Sequence, residues 1–222
     1  NLSLTFGNNY ESYELLKDSD MIFPNFSVDM EDYELNNSNY SLYIESDDRE
    51  IRKNAFETLY ETYKQYKNVF ANLLTSNIKE EVSMAKIKKY NSSIEASSYR
   101  DELDLSIYNN LVNTVNERID VLHKYYDLKK KVLGVDELHL YDVYANLIKM
   151  DDFKYNFDDA CSIVKDALLV LGDEYVAILN EGISERWIDV YPNRGKRTGG
   201  YSSGSYDTNP YILLNYEGKL DD

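Results

Sequence analysis

Residues 47–73 read DDREIRKNAFETLYETYKQYKNVFANL and decide the fold class. Apolar and aromatic residues recur there every three or four positions, at Ile51, Ala55, Leu59, Tyr63, Tyr66, Phe70 and Leu73. This period places them on one face of an α-helix. Asp47 and Glu50 have the spacing of a capping box, so the sequence predicts a long helix that begins at Ser46 or Asp47.

Further helices are predicted downstream. Residues 106–133 carry a helical stripe formed by Ile107, Leu111, Val115, Ile119 and Leu122. Gly134 is placed to end that helix in a left-handed cap, and Ser92 or Ser93 is placed to begin a short helix before it. A third segment follows Asn156, and its predicted inward residues are Ile163, Ala167, Leu168 and Leu171.

The character of the sequence changes after Glu185. Residues 186–193 (RWIDVYPN) and 211–218 (YILLNYEG) are rich in apolar residues, and residues 194–210 between them are rich in Gly and Ser. This pattern predicts two or three short strands joined by a glycine-rich connection. The predicted fold is therefore mainly α, with long helices and a small β-sheet near the carboxyl-terminal end.

The amino-terminal part has a different organisation. Residues 2–6 (LSLTF) and 40–44 (YSLYI) are interpreted as short strands, separated by an acidic, Asn-rich stretch with little periodicity. We expect residues 1–45 to be the tail of an amino-terminal domain and a connecting segment. Residues 46–222 would then belong to the domain that follows.

Composition excludes some classes of partner. The formal net charge is −16, and an acidic surface repels phosphate backbones, so no nucleic-acid partner is expected. No apolar run approaches the roughly 20 residues that a membrane span needs, so no membrane association is expected. The single cysteine, Cys161, suits a reducing compartment, and residues 1–10 lack the features of a signal peptide, so we predict a cytoplasmic protein.

The sequence contains no complete catalytic constellation. His123 and His139 lie sixteen residues apart and neither belongs to an HExxH motif, whose two His face one zinc ion. His139 is predicted to be a hydrogen-bonded structural residue. Cys161 has no neighbouring His in sequence and is predicted to be a buried, inert thiol.

Four segments resemble one known family when taken together and in order. They are residues 47–60 (DDREIRKNAFETLY), 89–96 (KYNSSIEA), 136–147 (DELHLYDVYANL) and 185–222, which begins with ERWIDVYPN. The resemblance is to the oligoendopeptidase F-type peptidases. It implies a cytosolic zinc metalloendopeptidase that hydrolyses short peptides in a mostly helical channel.

The resemblance also implies which part of such an enzyme is present. Residues 46–222 would form the first half of the peptidase domain and end just before HExxH, so this segment alone is expected to be inactive. Its partners would be short peptides and the missing carboxyl-terminal half of the same protein. Zinc would belong to the full-length enzyme, with no catalytic or metal-binding residue among these 222.

In that family the sheet beside the zinc helix offers an edge to the peptide backbone. The resemblance carries this role to the glycine-rich stretch, with substrate-binding candidates Arg197, Gly200, Tyr201, Ser202, Ser203, Gly204 and Tyr206. Arg197 would meet a substrate carboxylate. An equally weighted interpretation gives these residues only a supporting role beneath the zinc helix.

Two other classes of function remain open from the residues themselves. A non-catalytic helical module for peptide binding or scaffolding would use the same strand edge without zinc. A purely structural helical bundle would explain the apolar stripes, although it leaves the glycine-rich carboxyl-terminal stretch without a role.

Overall fold

The computed structural model describes residues 7–148, 154–193 and 195–220, and helices dominate that part of the chain. The α-helices are α1 (Asn8–Leu15), α2 (Tyr40–Ile44), α3 (Arg49–Gln65), α4 (Lys67–Ile87), α5 (Ser93–Arg100), α6 (Leu105–Glu117), α7 (Ile119–Leu133), α8 (Phe157–Leu168) and α9 (Asp173–Ser184). The strands are β1 (Phe26–Val28), β2 (Glu31–Tyr33), β3 (Ile188–Asp189), β4 (Tyr201–Ser203) and β5 (Tyr211–Leu213). Single turns of another type occur at Leu16–Asp20 (π) and at Leu140–Asp142 and Leu169–Leu171 (3-10). The prediction of a mainly α fold with a small carboxyl-terminal sheet is confirmed.

The two long predicted helices each form as two helices. The first begins at Arg49, two residues after Asp47, because Asp48 is the N-cap: its side chain accepts a hydrogen bond from the Glu50 amide. It breaks at Tyr66, where φ is −101° and ψ is 5°, before α4 begins. The second breaks in the same way at Arg118, and Gly134 ends α7 with φ 65° as predicted.

The compact core lies between α3 and the amino-terminal hairpin. Ala55 and Leu59 of α3 are buried against Phe26 of β1 and Leu35, which follows β2. This cluster joins both sides of the expected boundary near residue 45, and the division into two domains stays a prediction. Residues 2–6, predicted to form a strand, lie outside the described residues.

The predicted strand at residues 40–44 is wrong, because these residues form helix α2. The side chain of Asn36 accepts hydrogen bonds from the amides of Ser38 and Asn39, and these bonds form a turn just before the helix begins. Tyr40 and Tyr43 then pack against the core, on the helix face that the i, i+3 spacing provides.

The stripe along α6 and α7 is helical, as predicted, but its side chains are exposed. Ile107 and Leu111 are 55% and 62% exposed, and Ile163 on α8 is also exposed rather than inward. Within the described ranges, α6 packs mainly on α5 and α7. The period of a stripe predicts which face seeks burial but not which part of a polypeptide covers it. No helix in the described ranges is both long and apolar enough to cross a membrane.

Candidate functional site

The carboxyl-terminal sheet presents one strand at an open edge. Its strand order is β3-β5-β4, with β5 parallel to β3 and antiparallel to β4. The register places Tyr201 opposite Leu213 and Ser203 opposite Tyr211. Among the described residues no strand pairs with the other side of β4. An open edge of this kind accepts an extended peptide as an added strand.

The hydrogen-bond pattern identifies which backbone groups face that edge. The amides of Ile212 and Leu214 donate to Trp187 and Asp189 on the β3 side, at 2.8 and 2.9 Å. Because backbone groups alternate in direction along a strand, Leu213 directs its N–H and C=O toward β4. There they pair with the C=O and N–H of Tyr201. Ser202 lies between Tyr201 and Ser203, whose backbone groups face β5. It therefore directs its own N–H and C=O away from β5.

Most of the predicted site residues lie on this edge and on the connection that follows it, whereas Arg197 and Gly200 precede β4. The side chains of Tyr201 and Ser203 share one face of the strand, that of Ser202 points to the opposite face, and all three residues are exposed. Tyr206 is fully exposed in the connection between β4 and β5, where Ser205 and Thr208 bond to each other across a turn. All of these residues are accessible to a ligand, and their role stays a prediction.

Two glycines flank β4, and one of them is closely packed. A Cβ at Gly200 would lie 3.4 Å from the carbonyl oxygen of Leu213, and a Cβ at Gly204 would lie 3.3 Å from the Cα of Pro210. Only the contact at Gly204 is tighter than ordinary van der Waals packing, and its partner is backbone, which cannot move aside as a flexible side chain can. Gly204 therefore has a packing reason to be glycine, whether or not a substrate binds.

Arg197 is engaged within the chain. Its guanidinium forms an ion pair with the nearly buried carboxylate of Glu14 on α1, while the arginine side chain itself is 56% exposed. A cavity of about 320 Å³ adjoins this pair and is lined also by Glu11 and Asp18. The predicted contact between Arg197 and a substrate carboxylate would have to share the guanidinium with Glu14.

The described ranges hold no metal site, and Cys161 does not have the environment of a reactive thiol. They hold no cluster of three or more His, Cys, Asp or Glu side chains that fits a metal ion. His123 is exposed on α7, and the ring of His139 stacks on Tyr141 with 4.9 Å between centroids. Cys161 is partly buried rather than fully buried as predicted, and this burial raises the pKa of its thiol, which disfavours the reactive thiolate. These residues do not fit zinc.

The sequence did not reveal two polar residues that stabilise the connection between β3 and β4. The side chain of Lys196 is 4% exposed, donates to the carbonyls of Asp189 and Tyr191, and forms an ion pair with the Asp189 carboxylate. Asn215 donates to the carbonyls of Arg197 and Gly199. The signals in the sequence were a polar residue at the end of an apolar run and a Lys beside a Gly, and neither is distinctive.

Comparison with known proteins gives consistent matches. A model of Peptidase family M3 matches residues 42–222. The oligopeptidase PepF of Bacillus subtilis (strain 168) is 41% identical over 219 residues, which cover 98% of this chain and 33% of that protein. The oligoendopeptidase F homolog of Borreliella burgdorferi is 41% identical over 213 residues, or 94% of this chain and 35% of that protein.

A solved structure agrees with these matches. The crystal structure of oligoendopeptidase-F from Enterococcus faecium has a TM-score of 0.65 and 31% identity, over 83% of this chain and 35% of that one. The chain thus spans about a third of the length of the relatives it matches.

Proposed function

The chain belongs to peptidase family M3, and from this membership we propose that it is part of a zinc metalloendopeptidase that hydrolyses short peptides. In this proposal the chain supplies part of the channel wall and presents β4 as the strand that receives the peptide. The relatives whose printed names are oligopeptidase and oligoendopeptidase support this class of reaction. Catalysis would be a property of the whole protein.

The observation that carries the proposal is the outward-facing backbone of Ser202. An added peptide strand gains its affinity from main-chain hydrogen bonds, which do not depend on the sequence of the peptide. This suits an enzyme that accepts many short peptides. The exposed side chains of Tyr201 and Ser203 lie where they would contact alternate side chains of the bound peptide.

Membership of the family is the only support for zinc. A zinc ion would supply the Lewis acid that polarises the peptide carbonyl and activates water. Because the described residues of this chain do not fit the ion, its ligands would lie in the remainder of the protein. What this chain contributes is the binding and orientation of the extended peptide next to that centre.

We also propose partners and a location for the protein. The remainder of the same protein would cover the exposed stripes of α6 and α7. The acidic composition disfavours nucleic acid as a partner, and the single cysteine suits the cytoplasm. The division at residue 45 into an amino-terminal tail and a peptidase domain is kept as part of the proposal.

A second candidate is a non-catalytic module that binds peptides along the same edge. It is supported by the same open strand edge, which can bind a peptide without zinc. Zinc content separates the two candidates. Elemental mass spectrometry on the full-length protein should find about one zinc per chain if the enzyme proposal holds, and no bound zinc together with retained peptide affinity would favour the module.

The role of β4 is tested by two proline substitutions at neighbouring serines. Ser202→Pro removes an N–H that faces the open edge, so the fold should persist while KM for peptide substrates rises about fivefold or more. Ser203→Pro is the matched control, because it removes an N–H that bonds to β5 and should destabilise the hairpin. Ser202→Ala keeps the backbone and should leave KM unchanged. Unaltered kinetics in a folded Ser202→Pro enzyme would overturn the assignment of β4.

A further inference from the structure

The strand that would receive a peptide is too short to hold its own position. β4 has three residues, all exposed, and its ladder to β5 offers few backbone bonds. The chain reaches it through a connection in which Gly195 and Gly199 have positive φ values of 83° and 84°. Glycine at these positions costs conformational entropy on ordering. A contact outside the ladder would offset this cost and fix where β4 begins.

The side chain of Asn215 meets this need. Its Nδ2 donates to the carbonyl oxygen of Arg197 at 2.9 Å and to that of Gly199 at 2.8 Å. An amide NH₂ group has two donors, and both are used on acceptors two residues apart. The chain from Arg197 to Gly199 thus curves around one side-chain nitrogen.

The orientation of this amide is determined by its surroundings. Its Oδ1 is buried and has no hydrogen-bond partner among the described residues. A flipped amide would direct Oδ1 at two carbonyl oxygens and lose both bonds, so the nitrogen must face the connection. The two hydrogen bonds to Arg197 and Gly199 offset the free-energy cost of burying this oxygen.

The register shows what these bonds replace. Tyr201 lies opposite Leu213, so two residues further along the ladder Gly199 would lie opposite Asn215. At that point the chain turns away with the positive φ of Gly199, and the side chain of Asn215 bonds the Gly199 carbonyl. The amide therefore ends the ladder and sets the point at which the chain enters β4.

We propose that Asn215 is a positioning residue, which holds the start of β4 in place so that the outward N–H and C=O of Ser202 are presented to an extended peptide. Asn215 acts through the backbone of Arg197 and Gly199. The peptide-binding part of this inference rests on the proposed function of β4, whereas the positioning part rests only on the geometry of the sheet.

The experiment measures amide hydrogen–deuterium exchange in the purified full-length protein. Asn215→Asp has almost the same shape but lacks both donors and adds charge repulsion against the two carbonyls. The amides of Tyr201 and Ser203 should exchange about tenfold faster than in the wild type, since local opening of β4 becomes easier. Asn215→Ala, a second variant without the repulsion, should show a smaller increase of the same sign.

A matched control keeps the test specific. Asn39 also bonds to backbone groups, donating to the Glu34 carbonyl at 2.9 Å, but it lies in the amino-terminal part of the fold. Asn39→Ala should leave exchange at Tyr201 and Ser203 unchanged. Exchange across α3 should stay unchanged in the Asn215 variants, which shows that they are folded. Unchanged exchange at β4 in both Asn215 variants would overturn the positioning role.

Kinetics of the full-length protein then separate this inference from the proposed function. If both hold, the Asn215 variants should raise KM for peptides long enough to lie along β4, with kcat changed by less than about twofold. Faster exchange with unchanged KM would leave Asn215 as a positioning residue and overturn the peptide-binding role of β4. A fall in kcat at constant KM would contradict the predicted effect on binding.

Discussion

Arg49 donates two parallel hydrogen bonds to the carboxylate of Asp142, from Nε to Oδ1 at 3.1 Å and from Nη2 to Oδ2 at 2.9 Å. Arg52 adds a third bond to Oδ1 at 2.9 Å, and the His139 amide donates to Oδ2 at 3.0 Å. Asp142 is completely buried. These bonds fasten the first turn of α3 to the segment around the 3-10 turn Leu140–Asp142.

Removal of this charge should be strongly destabilising. Asp142→Asn leaves the nearly buried guanidinium of Arg52 without its counter-charge and presents it with a weaker acceptor. Breaking a buried pair by removing one partner costs about 3–5 kcal/mol, so the midpoint of urea denaturation should fall markedly.

An exposed ion pair serves as the control for this prediction. Lys64 and Glu61 form an ion pair on α3 at 2.8 Å, with both side chains more than 60% exposed. Glu61→Gln should change stability by less than about 0.5 kcal/mol. Equal effects of the two substitutions would show that the Asp142 network contributes no more than a surface pair.

The same carboxylate predicts a dependence of stability on pH. Burial alone opposes ionisation of Asp142, but the hydrogen bonds from Arg49, the His139 amide and Arg52 outweigh it and lower its pKa to about 2. Because the folded pKa lies below the unfolded value, the stabilisation is complete above about pH 4 and is lost as pH falls toward 2. Its size is about 2–3 kcal/mol.

The measurement is the free energy of unfolding at several pH values between 7 and 2.5, in the wild type and in Asp142→Asn. The wild type should lose more stability on acidification than the variant, which has no carboxylate at this position. Parallel curves for the two proteins would assign acid sensitivity to other carboxylates of the chain.

Gly182 should tolerate alanine poorly, although it lies within helix α9. In an ordinary helix, alanine in place of glycine stabilises by about 0.5–1 kcal/mol. Here a Cβ would lie 2.9 Å from Cε3 of the Trp187 indole, so the ring must shift. We expect Gly182→Ala to destabilise by about 1–3 kcal/mol.

The chain contains one tryptophan, so fluorescence reports on this contact directly. The emission of Gly182→Ala should differ from that of the wild type as the indole moves. A double variant with Trp187→Leu should relieve the clash, which makes the two substitutions non-additive. Additive losses would contradict the contact as the cause.

Local features of the fold were predictable because they depend on neighbours in sequence. Ser92 caps α5 and Gly134 ends α7, as predicted from residue type and position alone. The breaks at Tyr66 and Arg118 were not predicted, since each apolar stripe continues across its break. The stripe of α6 and α7 was predicted correctly, but its exposure depends on what packs against it.

In the candidate site, too, only the features that depend on local sequence were predictable. The glycine-rich stretch marked the edge strand, and the resemblance to known peptidases assigned it a role. The ion pair of Arg197 with Glu14 joins residues 183 positions apart, and the bonds of Asn215 join residues 16 and 18 positions apart. No spacing rule predicts such pairs, because they follow from how the sheet and α1 meet in space.

Arg197 provides the last prediction, on the recognition of a substrate carboxylate. If its exposed guanidinium meets the carboxyl terminus of a peptide, Arg197→Ala in the full-length enzyme should raise KM about two- to fivefold for peptides with a free carboxylate. The same peptides with an amidated terminus should be unaffected, because they lack the charge. Raised salt should reduce the difference, since the arginine is solvent-accessible.

Glu14→Gln is the informative control for this prediction. It removes the carboxylate that pairs with Arg197, and so it should lower KM for the free-acid peptides or leave it unchanged, opposite in direction to Arg197→Ala. If instead both variants raise KM alike for free and amidated peptides, the two residues act only by joining α1 to the connection before β4. In that case the carboxylate of the substrate is bound by another part of the protein.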